Sequence, residues 1–552
     1  MAKSNQKKQA ASPAISVKNG NNESTSAEKR SYFTIEHLPQ KTILGILISL
    51  FCLIILALFW NFLIQKYPYL FIDIGIDSTI IVYPHLVHLA EYWQQYGLPS
   101  WTFADGLGKN IYPSWFDPFT NFLLFLSPRG IAGGIIYVAI AEIVAAGFCF
   151  YAFLKEAKMS QFSAIIGAIS YAFCGYMILC GAWYLVFAAE VVNVALLLWL
   201  LERFFQRKEW TWLPVPYALI ALQNPFYLYL SGVLTLIYLT LRNPTFFYNL
   251  KKTFTPIIWA GIIGLGLSSF MLFSNIIQIM DSPRGSADYS YSGLLMSHSL
   301  FGLAPNTEFS SLFNRLFSPN LSGYVDQFNG WQNYMEAPIF YCGILSIVVF
   351  PQAFKFLPKK QAMVYGAVWL LLVLICIFPF FRFTFWLFTG DYYRTVSLFV
   401  VILLIYGSTY ALTAIDSLSK INIPILLGTL VLALIVLFFP YSIKAPSAQG
   451  FRPVAGCLLV LYAGLLLLFK NTQFRGISQV LLLVTLVAEI IFFQYPTINK
   501  RKVASFDLLF SYGANKGYND GVREAQDYIK KRDKSLFFRT EKDFSSIRHL
   551  SN

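Results

Sequence analysis

The stretch Phe71 to Asn121, FIDIGIDSTIIVYPHLVHLAEYWQQYGLPSWTFADGLGKNIYPSWFDPFTN, carries four aspartates, two histidines and three tryptophans. It lies between two strongly apolar segments, Thr42 to Ile64 and Ile131 to Leu154, each long enough as a helix to cross a bilayer. A polar, acid-rich loop between two such spans belongs in water on one face of a membrane. That reading sets the class for the rest of the chain, which is all-α and polytopic, because backbone exposed to lipid has to satisfy its hydrogen bonds within each segment.

Composition agrees. The chain is 56% hydrophobic and only 13% charged, with apolar runs of about 20 residues recurring along it. A formal charge of +14 invites a nucleic-acid reading, but the basic residues sit at the ends of apolar runs and form no stripe, so nucleic acid is excluded as a partner and the charge reports topology. The seven cysteines all fall in apolar segments without metal-ligand spacing and read as small packing groups, with no structural disulfide.

Residues 1–40 are polar and of low complexity and read as a disordered tail. Thr42 to Ile64 is too long for a signal-peptide core and is a retained helix. The Lys and Arg before it place the N-terminus in the cytoplasm of a multi-pass plasma-membrane protein. Following the basic residues onward, residues 41–496 form a transmembrane domain of about 13 helices, with extracytoplasmic loops at 65–130 and 281–336 and an extracytoplasmic C-terminal segment at 497–552. Trp212 to Leu241 has bases at both ends, so it splits at Asn224-Pro225 into a hairpin of two short helices. Lys500, Arg501 and Lys502 fit this weave poorly, since they favour the cytoplasm.

The two long outer loops hold ten of the 28 acids, whereas the inner loops are short and mainly basic, so chemistry is expected outside. In the first, Pro84 suits the first turn of a helix running to about Tyr96, with Leu86, Leu89 and Trp93 on one face and His88, Glu91 and Gln95 on another. This is a helix lying along the membrane surface.

Asp77, the surface helix, GLPSWTFADGLGKN and DPFTNFLLFLSP together resemble the opening of the YfhO-like bacterial membrane proteins. ALQNPFYLYL, DSPRGS, APIFYCGILSIVVF, DYYRTVSLFVVILLIYGSTYAL and SLFFRTEKDF follow in the same order, so the resemblance spans roughly Thr42 to Phe544. It implies a GT-C type glycosyltransferase fold that takes a sugar from a polyprenyl-phosphate carrier, made by a partner enzyme, and transfers it outside the membrane to a cell-envelope glycopolymer such as a teichoic acid. It also implies an acidic catalytic residue in the first outer loop, and a larger outer domain and a final helix beyond Asn552, so that the chain is expected to be either a shortened member or one whose remainder is missing.

Residue chemistry fits that reaction. The acceptor hydroxyl needs a carboxylate base and the departing phosphate needs cations. Asp77 matches the family's acidic position, although an aspartate before Ser78 and Thr79 also reads as a helix cap. Asp73, one helical turn earlier, is the second candidate, since two adjacent carboxylates raise one of the two pKa values. Asp105 and Asp117 read as a turn residue and a helix N-cap.

For the donor phosphate, Arg394 and Arg284 sit at outer mouths of helices, with ion pairs to Asp391 and Asp281 as the alternative, and Arg382 and Arg315 follow. Trp101, Tyr112, Trp115 and Phe116 suit either a sugar face or the interfacial aromatic belt. Glu190, near the outer end of its helix, is a candidate for lining the donor site, and the intramembrane acids Glu142 and Glu489 stand out as costly to bury. His85 and His88 are spaced to share a divalent cation, magnesium or manganese, with Asp77, although surface histidines more often only hydrogen-bond. A lipid or sugar transporter or flippase and a non-catalytic envelope-assembly partner are the competing classes. A water-filled path lined by Glu142 and Glu489 would favour transport.

Overall fold

The structure, a computed structural model, describes residues 34–97, 101–102, 108–110, 117–242, 250–280, 291–441, 449–510 and 522–534. The chain opens with α1 (Gln40–Leu63). A turn of π-helix at Ser78–Val82 then runs directly into the surface helix α2 (Tyr83–Tyr96). Leu86, Leu89 and Ala90 are its buried stripe, and it stops at Gly97, whose φ of 80° is open to glycine without the Cβ penalty. A two-stranded ribbon pairs β1 (Trp101–Thr102) with β2 (Lys109–Asn110). α3 (Pro118–Asn121) closes the loop, capped by the Asp117 carboxylate as its sequence context implies.

The bundle follows as α4 (Pro128–Glu156), α5 (Gln161–Ala172), α6 (Leu185–Arg207), α7 (Pro214–Gln223), α8 (Pro225–Arg242) and α9 (Leu250–Met280). The second outer loop carries α10 (Tyr291–Met296) and α11 (Asn306–Phe317). Then come α12 (Ile344–Val349), α13 (Ala353–Phe356), α14 (Lys359–Ile377), α15 (Pro379–Phe385), α16 (Arg394–Leu418), α17 (Ile423–Phe438), α18 (Phe451–Phe469) and α19 (Arg475–Asn499). α5, α6 and α16 are almost wholly enclosed by the others, whereas α14 and α17 face outward with large exposed apolar side chains. Exposed apolar faces on long helices are what a lipid solvent requires.

Among the described residues, nine helices are long and apolar enough to cross a membrane, which corrects the expectation of about 13. Phe226–Arg242, Ile344–Phe356 and Ile423–Phe438 are apolar but shorter. The run from Trp212 to Leu241 does break at Asn224-Pro225, and α7 with its 10 residues rises only about 15 Å, half a bilayer core. An apolar segment in the sequence is therefore not always a full span.

Buried polar groups fasten the bundle. Glu489 on α19 accepts from the Tyr341 hydroxyl at 3.0 Å, the Tyr462 hydroxyl at 2.6 Å and the Ile344 N–H at 2.7 Å. The last of these satisfies the open N-terminus of α12, which explains a carboxylate at this depth without a transport role.

Candidate functional site

The outer loops and the chain beyond α19 meet at one joint. Phe71 bridges Val503 in antiparallel register, with Ile72 N–H donating to Lys502 O at 3.0 Å and Ala504 N–H to Leu70 O at 2.9 Å. Beside this bridge Arg501 grips Asp73 through Nη2 at 2.6 Å and Nε at 3.1 Å, and both side chains are fully buried. The Gly75 and Lys502 N–H groups donate to the same carboxylate at 2.9 and 3.1 Å. Lys502 Nζ lies 3.5 Å from Asp326 in the second outer loop. Arg501 and Lys502, two of the three bases that fitted the topology poorly, are thus engaged with acids of both outer loops.

This joint fixes the turn that presents Asp77. Ser78 Oγ accepts from Phe71 N–H at 3.0 Å and donates to Gly75 O at 3.1 Å, while Thr79 Oγ1 donates to Phe71 O at 2.6 Å. Asp77 then starts the π-turn without using its side chain as a cap, which removes the capping alternative. Its half-buried carboxylate accepts the indole N–H of Trp183 at 2.9 Å. Burial together with the neighbouring Asp77 charge pushes the Tyr184 hydroxyl up to about 12. Both Asp73 oxygens are occupied by the Arg501 guanidinium and the Gly75 and Lys502 N–H groups.

Arg394, at the start of α16, reaches the same wall. Its guanidinium lies over the rings of Tyr392, Phe187 and Trp183, at 4.1, 5.3 and 5.5 Å from their centroids. Nη2 donates to Glu336 at 3.2 Å, and Nε is buried without a hydrogen-bond partner. The ion-pair alternative is realised with Glu336 rather than with Asp391, because Asp391 belongs to Arg382, which is buried between Asp391 at 2.5 Å and Glu308 at 2.6 Å. Arg315 is buried too, donating to Pro319 O and Ala337 O. Trp183 therefore separates a carboxylate from a guanidinium, touching both.

Glu190 is 3% exposed and accepts from the Tyr176 hydroxyl at 2.5 Å and the Thr395 hydroxyl at 2.9 Å. It holds α6 against the first turn of α16 behind Arg394 and does not face open space. Trp101 is exposed on the ribbon. His88 Nε2 meets the Thr102 hydroxyl at 2.9 Å, and among the described residues no three His, Cys, Asp or Glu side chains group closely enough to hold a metal. Arg284, Asp105, Tyr112, Trp115 and Phe116 lie outside the described residues.

Sequence reasoning missed Trp183, Tyr184, Glu336 and the role of Arg501. The available signal was a polar-tipped aromatic pair, Trp183-Tyr184, placed where one apolar run ends and the next begins, and a basic residue on the side of the membrane that basic residues avoid.

A family model described as bacterial membrane protein YfhO matches residues 82–549, most of the chain. No curated protein matches it. The match begins just after Asp77, so the case for that residue rests on its geometry and on the sequence likeness of the segment around it.

Proposed function

The chain belongs to the YfhO family of bacterial membrane proteins, and on that premise we propose that it is a membrane glycosyltransferase of the GT-C type. It moves a sugar from a polyprenyl-phosphate carrier to a cell-envelope polymer of the teichoic-acid kind, on the outer face where its large loops lie. A partner enzyme supplies the lipid-linked sugar. The observation that carries this reading is the convergence of Asp77 and Arg394 on Trp183.

In this mechanism Asp77 takes the proton from the acceptor hydroxyl as that oxygen bonds to the anomeric carbon. The bond from that carbon to the phosphate oxygen breaks, and its electron pair leaves with the phosphate. The Trp183 N–H holds one carboxylate oxygen and orients the group toward the acceptor. Arg394 offers its guanidinium charge to the departing phosphate, in a setting walled by aromatic rings where charge pairing is stronger than in water. Asp73 and Arg501 keep the turn that carries Asp77 in place.

The transport reading has less support. It needs Glu142 and Glu489 free along a water path, whereas Glu489 is occupied by Tyr341, Tyr462 and Ile344. Complementation of a strain lacking the gene tests the proposal, comparing wild type with Asp77→Asn at equal protein level and reading envelope-polymer glycosylation. Loss of decoration is expected. Full decoration by the Asn variant would remove Asp77 as the base.

A further inference from the structure

The second outer loop lays α11 against the outer end of α17, and the two helices leave a groove of about 510 Å³ between them. Phe309 and Phe313, one turn apart on α11, form one wall, and Ile435, Val436 and Phe439 form the other. Tyr441 closes the end, its ring stacked on Phe313 at 6.2 Å and its hydroxyl donating to Val436 O at 3.0 Å. Phe313, Ile435 and Phe439 are exposed. The volume falls within the range of about 300–1,000 Å³ typical of ligand pockets. None of the lining belongs to the wall of Asp77, Trp183 and Arg394.

Depth and charge say what fills it. α17 has 16 residues and rises about 24 Å, less than the hydrocarbon core of about 30 Å. Its groove end therefore lies at the level of lipid chains and their first polar groups. Beside the groove, Arg452 in the first turn of α18 donates from Nη2 to Oδ1 of Asn314, the residue after Phe313, at 3.3 Å. Asn314 points that oxygen at the arginine because its amide nitrogen is held by Ser310 and Ser322, each at 3.2 Å. Arg452 is half-buried and makes no ion pair among the described residues. The sequence from Ser417 to Ala488 contains no acid, so nothing on α17 or α18 neutralises it. A basic residue kept on the face that basic residues avoid, with no carboxylate beside it, calls for an anion from outside the chain.

We propose that this groove binds one anionic phospholipid of the outer leaflet, with an acyl chain between α11 and α17 and the phosphate on Arg452. With Nη2 on Asn314, the other N–H groups of the guanidinium fork remain for phosphate oxygens. The apolar wall supplies chain affinity, and the arginine supplies selection for negative charge. The bound lipid would hold α11 on the bundle and steady the second outer loop, whose Glu308 grips Arg382 from the buried face of the same helix.

Native mass spectrometry of the delipidated full-length protein tests the site, with dioleoyl phosphatidylglycerol, dioleoyl phosphatidylcholine and undecaprenyl phosphate titrated separately. The wild type should retain one phosphatidylglycerol about 10-fold more tightly than phosphatidylcholine, the worth of a hydrogen bond to a charged group. Arg452→Gln should lose that preference. Ile435→Trp, which fills the groove, should lose retention of both phospholipids, and Phe439→Ser, a second change at an exposed position, should weaken it. Leu427→Trp, also exposed and about two turns away on α17, should behave as wild type. Equal retention of the two phospholipids by the wild type would mean annular lipid only and would overturn the proposal. So would a preference left intact by Arg452→Gln or by Ile435→Trp, or tighter retention of undecaprenyl phosphate than of phosphatidylglycerol. None of these outcomes depends on glycosyl transfer.

Discussion

Replacing Arg501 with Met cuts the joint that ties the first outer loop to the chain beyond α19. Both side chains of the Arg501–Asp73 pair are fully buried, so no water is at hand to take over. The variant leaves Asp73 with the Gly75 and Lys502 N–H groups and without its two guanidinium contacts. It also removes the guanidinium from over the Phe71 ring, 3.6 Å from the centroid. Breaking one side of a buried pair costs about 3–5 kcal/mol, most of it from the charge left behind. Asp73→Asn should cost a similar amount, since it strands the arginine instead. Because the penalty lies in the orphaned charge, Asp73→Leu combined with Arg501→Met should recover most of it, giving a coupling of about 3 kcal/mol in a double-mutant cycle. Equilibrium unfolding of the four proteins in mixed micelles measures this. Single variants that each cost less than about 1 kcal/mol, or losses that simply add, would refute the claim that this ion pair holds the loops together.

Three further outcomes follow from the same geometry. Gly75→Ala should destabilise the protein by about 1–3 kcal/mol, because its new Cβ would overlap the Arg501 guanidinium and press on Met335 Cε at 2.7 Å; thermal unfolding reads this, and an unchanged midpoint would contradict the packing described. Trp183→Phe keeps a ring beneath Arg394 but deletes the N–H on Asp77, so sugar transfer should fall about 10- to 100-fold, the worth of a hydrogen bond to a charged group. Stability should change little, which separates a loss of positioning from a loss of folding. The third concerns pH. Burial raises the Asp117 pKa against the opposing Thr120 hydrogen bonds. A carboxyl raised in the folded state contributes stability that is full below its unfolded pKa of 3.8 and is lost as pH rises through the folded value. Wild type should therefore gain on Asp117→Asn as the pH is lowered toward 4, and a difference that does not change with pH would count against a buried carboxyl.

Much of the architecture was legible from the chain. Periodicity and Pro84 located α2, the Asp117-Pro118 pair located the cap of α3, and Asn224-Pro225 located the break between α7 and α8, because each depends on residues close in sequence. The count of about 13 helices went astray for a related reason: hydropathy registers an apolar run but not whether neighbours bury it at half depth. At the site, Asp77 and Arg394 could each be selected singly, by residue type and by place at a helix mouth. Their meeting could not, because it depends on Trp183 from a third segment.

What the sequence determined by itself was the membrane class, the helical elements and the side-by-side concentration of acids in two loops, all of which follow from local composition acting against a lipid solvent. Only the tertiary structure decided which acids are spoken for. Asp73 and Asp77 are the same residue type four positions apart, yet one is locked to Arg501 and the other is offered beside Trp183, because a carboxylate takes its role from the donors that long-range packing brings to it.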